Sequence, residues 1–150
     1  MKWLKSPEQY QFNYTERYDE FLESLSMTAV LPEDSQISTP GADVPDSLAR
    51  FSGKWFGVSD GVLDHLLAIE NISAGGEVEA IYAWGVAYQW GINNPGWTRY
   101  KGTFQGSKLV LTAPDNMLTI SYEIKSDGSM DSWYKRPGIL SYTELVKLED

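Results

Sequence analysis

The sequence predicts a mainly β protein: an eight-stranded antiparallel up-and-down β-barrel with an N-terminal helical extension. Three observations predict it. From Phe51 onward, apolar and polar residues alternate with period two, the pattern of strands with one buried face. Turn residues interrupt that alternation about every ten positions. The interruptions are short: Ser-Asp-Gly, Ala-Gly-Gly, Gln-Gly-Ser, Pro-Asp-Asn and Ser-Asp-Gly again supply the positive φ of tight hairpins. Strands joined this way pair with their chain neighbours and run antiparallel. An open meander leaves two bare edges, and closing it into a cylinder removes both.

The chain of 150 residues has the length of one domain, read as a helix and linker over 1–46 and a barrel over 47–150. Ser6-Pro7-Glu8-Gln9 has the form of a helix start, with Ser6 as cap and Gln9 completing a capping box. Tyr14, Tyr18, Phe21, Leu22 and Leu25 then recur at helical spacing, so an amphipathic helix is expected within 7–26. Its apolar face would close one barrel mouth, dock on the sheet exterior or swap onto a second subunit. Residues 31–47 carry three prolines and few apolar residues, and read as a loop or linker. The expected strands are 51–58, 62–71, 76–85, 97–104, 108–113, 117–125, 129–136 and 139–148. The connection over 86–96 is long by comparison and contains Tyr88 and Trp90. A loop of that kind is either functional or packed by its own side chains.

Charge and composition exclude several functions. A formal net charge of −9 repels phosphate backbones and anionic headgroups, so neither nucleic acid nor a membrane is an expected partner. With no cysteine there are no disulfides or thiolate metal sites, and one histidine cannot supply a two-histidine site. MKWLKSPEQYQ has no apolar run behind its lysines, so a cytoplasmic protein is expected. No Gly-x-Ser-x-Gly, Gly-x-Gly-x-x-Gly or phosphate-binding loop occurs. Asp64-His65 looks like a catalytic pair, but adjacent strand residues point to opposite faces, so Asp64 cannot orient His65. No catalytic residue, metal or cofactor is therefore assigned.

The alternation sorts side chains between lumen and exterior. In 117–125, Leu118, Ile120, Tyr122 and Ile124 face in; in 76–85, Val78, Ala80, Tyr82 and Trp84 do. In 62–71, His65 faces in with Leu63, Leu67 and Ile69, although the opposite face is also partly apolar. In 97–104, Trp97, Arg99, Lys101 and Thr103 share one face and Tyr100 and Phe104 the other, with the inward set undecided. If Arg99 faces in, it needs a partner such as Glu144, because an unpaired buried charge is costly.

On the residues Gly53-Lys54-Trp55, a Gly-x-Trp on the first expected strand, the chain resembles the calycin group of lipocalin-type barrels. The resemblance implies a Trp55 lying across a closed barrel end, packed near a basic residue of a late strand, here Arg136. GKWFG, LDHLLAIENI, AIYAWG and GWTRYKG are also similar to a lipocalin-like domain at the C-terminal end of some hydrolases, which implies the same architecture.

An eight-stranded barrel either fills its interior with side chains or holds one small ligand. The leading expectation is a non-enzymatic module, monomeric or homodimeric, for a largely apolar or amphipathic ligand with a polar or anionic head. Tyr82, Trp84 and Tyr122 would line the body, Arg99 or His65 would read the head, and Trp90 would contact the ligand from the long loop. The alternatives are an isomerase or lyase in which His65 or a tyrosine moves a proton, and a structural or interaction domain.

Overall fold

A computed structural model describes residues 28–149; the helix expected within 7–26 lies outside them. A short helical turn, α1 (Asp46–Ala49), precedes eight strands: β1 (Gly53–Ser59), β2 (Leu63–Ile72), β3 (Glu77–Trp84), β4 (Gly96–Gln105), β5 (Lys108–Thr112), β6 (Thr119–Ile124), β7 (Met130–Arg136) and β8 (Ile139–Lys147). Each pairs antiparallel with the next, and β8 returns to β1 to close the barrel. Every strand lies within two residues of its expected bounds at either end.

The hairpins form for the reason their residues suggest. Between β1 and β2, Asp60 (φ 49°) and Gly61 (φ 74°) both adopt positive φ, and the Val62 N–H closes the turn on the Ser59 carbonyl at 2.8 Å. Two positive-φ residues give a turn whose twist matches that of the flanking strands. Closure of the barrel depends on another glycine. The β1–β8 seam is short, pairing Trp55 with Lys147 and Phe56 with Val146. At Gly57 the backbones approach so closely that a Cβ would collide with the Glu144 carbonyl and meet the Thr143 methyl at 2.7 Å.

The two ends of the barrel differ. At one end, Val44, Phe51 and Trp55 are buried, with Leu48 packed against them. The plug is built from the end of the segment read as linker and the start of the stretch read as first strand: residues 44–51 fold under the strands, and the Trp55 indole N–H donates to the Phe51 carbonyl at 2.9 Å. The cation beside Trp55 is Lys147, 5.5 Å from the ring centre. This corrects the place expected for Arg136, which ends β7 at the other mouth: β7 runs away from the plug, so its last residue cannot reach Trp55.

Residues 28–38 form a strap along the outside of β2. The Ala29 N–H donates to Asp64 Oδ2 (3.1 Å), Gln36 N–H to Glu70 Oε2 (3.0 Å) and Ser38 N–H to the Glu70 carbonyl (2.8 Å). Between those anchors, the outward Leu66 and Ala68 of β2 and their β3 partners Ala83 and Ile81 are buried. This explains why both faces of 62–71 are apolar: one faces the lumen and the other faces the strap.

Candidate functional site

β1, β3 and β7 run toward the unplugged end, and their last inward residues meet there with the first inward residues of β2, β4 and β8. They surround a cup of about 740 Å³. Tyr82 is its floor, only 5% exposed. Trp84 and Tyr100 stand on adjacent strands, and Tyr134 and Arg136 line the cup from β7. The Tyr82 ring lies 5.5 Å from that of Trp84 and 6.1 Å from that of Tyr134, so the rings form a continuous tilted wall. Trp84 fits only because Gly96 opposes it: a Cβ on Gly96 would collide with the indole.

The long connection completes the wall. Ala87 and Ile92 exchange hydrogen bonds at 2.9 and 3.0 Å, which pinch residues 88–91 into a tight loop containing a 3₁₀ turn (Tyr88–Trp90). That geometry turns Trp90 to the cup while Tyr88 remains 63% exposed outside it.

The electrostatics are asymmetric. Burial pushes the Tyr82 hydroxyl well above its usual range and raises that of Tyr100, with neighbouring phenols adding to both shifts. Both therefore remain O–H donors at neutral pH. The Arg136 guanidinium lies 5.9 Å from the Tyr134 ring centre, held over its face. Asp60 also reaches the rim, on the β1–β2 turn, where its Oδ2 accepts from the Ser141 hydroxyl at 3.0 Å.

Below the floor the barrel is filled. His65 is 1% exposed and packs its ring 4.5 Å from that of Tyr82; Nε2 shares a 2.7 Å hydrogen bond with the Tyr122 hydroxyl. Tyr122 is fully buried, as are Leu67, Ile120, Met130 and Leu145. Desolvation lowers the His65 pKa to about 3, so the ring is neutral at physiological pH. Among the described residues, its Nδ1 and the Ser132 hydroxyl have no hydrogen-bond partner. An unpaired buried N–H costs more than an unpaired lone pair, which favours the tautomer in which Nε2–H donates to Tyr122.

Of the six residues expected to contact a ligand, the structure brings Tyr82, Trp84 and Trp90 to the cup. It places His65 and Tyr122 beneath the floor, where they support Tyr82 without lining the space. Arg99 is on the exterior. Its Nε donates to Glu70 Oε1 at 3.1 Å and its Nη2 to Asp34 at 2.9 Å, clamping the strap, because the inward set of β4 is Tyr100, Gly102 and Phe104. Glu144 likewise faces out and pairs with Lys125 rather than Arg99. Asp64 points away from His65, to the strap, as alternation requires. Sequence reasoning missed Tyr100, Tyr134 and Arg136 as cup residues. The signal was present in β7, where Met130, Ser132, Tyr134 and Arg136 fall on one face of the period-two pattern.

Among the described residues no three His, Asp or Glu side chains converge as metal ligands, and no helix is long and apolar enough to cross a membrane. Comparison of the chain with protein-family models, with curated proteins and with solved structures gives no match.

Proposed function

We propose that this is a calycin-type binding barrel that takes one small, largely apolar ligand with a polar or anionic head in its open cup. The observation that carries the reading is the cup itself: about 740 Å³ walled by tyrosine and tryptophan, with Arg136 at its rim. A volume in the range of roughly 300 to 1,000 Å³, apolar walls and a few polar groups is the usual make-up of a small-molecule site. The plugged opposite end, the Gly-x-Trp of β1 and the up-and-down order support the calycin assignment. Binding rather than proton transfer fits the position of His65, which Tyr82 separates from the cup.

The test is titration with 8-anilinonaphthalene-1-sulfonate, an apolar anion whose emission rises on desolvation. Saturable one-site binding with quenching of tryptophan emission is expected. Trp84→Ala should weaken it at least fivefold with folding retained by circular dichroism. Binding unaffected by Trp84→Ala would place the dye elsewhere and refute the cup as the site.

A further inference from the structure

We infer that the ligand class is a compact, planar aromatic anion, such as a ring carboxylate, and not a long-chain fatty acid; this rests on the cup being the binding site. The shape of the cup favours a short ligand. The space ends at Tyr82, two residues below Trp84 on the same strand, or about 7 Å along it. Beneath Tyr82, the layer of His65 and Tyr122 and the apolar core below it are almost wholly buried side chains. A long acyl chain needs a deep, narrow channel, and that channel is occupied. The volume lies instead in the breadth of the mouth.

The walls of the cup favour a flat one. Tyr82, Trp84, Trp90, Tyr100 and Tyr134 offer flat faces, which make offset or edge contacts with a flat ring beyond simple area burial. The charges at the rim favour an anion. Arg136 presents a guanidinium suited to two parallel hydrogen bonds with a carboxylate, and the Tyr82 and Tyr100 hydroxyls remain protonated donors. Asp60, on the β1–β2 turn, repels an anion from its own side and directs the carboxylate to the Arg136 side.

The probes are 2-naphthoate, 2-naphthylmethanol, 2-naphthylmethylamine and palmitate, each titrated by calorimetry and tryptophan quenching. Naphthoate is expected to bind tightest, the alcohol about tenfold weaker and the ammonium weaker still, with palmitate neither binding nor displacing naphthoate. Arg136→Gln should weaken naphthoate about tenfold and leave the alcohol unchanged. Tighter binding of palmitate or of the amine would overturn the inference while leaving the cup as a binding site. Equal naphthoate affinity in the wild type and Arg136→Gln would also overturn it. If none of the four probes binds, the inference and the binding reading fall together.

Discussion

The plugged and open ends of this barrel are built from the same eight strands by the same alternation, yet one is packed and the other is a cup. The plugged end receives extra chain: Val44, Leu48 and Phe51 arrive from outside the sheet and meet Trp55. Among the described residues, the open end receives the loop of Trp90, which lines the space without filling it. The inward residues differ too. Toward the plug they are mostly apolar, such as Ile69, Leu109 and Leu145, and the one indole N–H there, of Trp55, is satisfied by the Phe51 carbonyl. At the cup, beside Leu63 and Leu118, several end in hydroxyl, indole N–H or guanidinium groups, which lose hydrogen bonds if buried without partners. Within the described residues the cavity thus lies at the end where inward residues carry polar tips and away from the 44–51 plug.

The two ends should differ in stability. Trp55→Ala should cost about 3–5 kcal/mol, the usual range for removing a fully packed aromatic, whereas Trp84→Ala should cost about 1 kcal/mol because one side of its ring meets open space. Urea denaturation of both variants measures the difference. Equal losses would mean that the cup is as tightly packed as the plug.

The layer between the two ends responds to pH. His65 has a native pKa of about 3, below its ordinary unfolded value of about 6.5. Between those values the unfolded state binds the extra proton, so stability falls as pH falls through that window. From pH 7 to 5 the loss attributable to His65 is about 2 kcal/mol, at up to about 1.4 kcal/mol per pH unit. In His65→Gln this slope should flatten. A variant as pH-sensitive as the wild type would show that His65 is not held neutral beneath the cup.

A smaller change is expected from Gly96→Ala, whose Cβ displaces the Trp84 indole. It should alter tryptophan emission and weaken probe binding several-fold while shifting the denaturation midpoint little, because the indole can move into the cup. The smallest effect belongs to Arg99→Ala. Its ion pairs lie on the exposed surface, where such pairs contribute little. Neither probe affinity nor the midpoint in moderate salt should change measurably. A loss of binding in Arg99→Ala would show that the strap communicates with the cup.

The alternation from Phe51 onward and the turn residues determined the eight strands, their antiparallel order and the inward direction of Tyr82, Trp84 and Tyr122, because strand faces and tight turns are local properties. Local pattern could not orient β4, whose two faces, Trp97-Arg99-Lys101 and Tyr100-Phe104, are both amphipathic; the neighbouring strands and the Glu70–Asp34 clamp decided it. Nor could pattern say which inward residues are covered. His65 and Trp84 both face in and are cross-strand partners, but the Tyr82 ring and the Tyr122 hydroxyl close over the first while the second lines the cup. Whether an inward residue lines the cup or the core depends on what packs over it, and only the assembled cylinder with its 44–51 plug settles that.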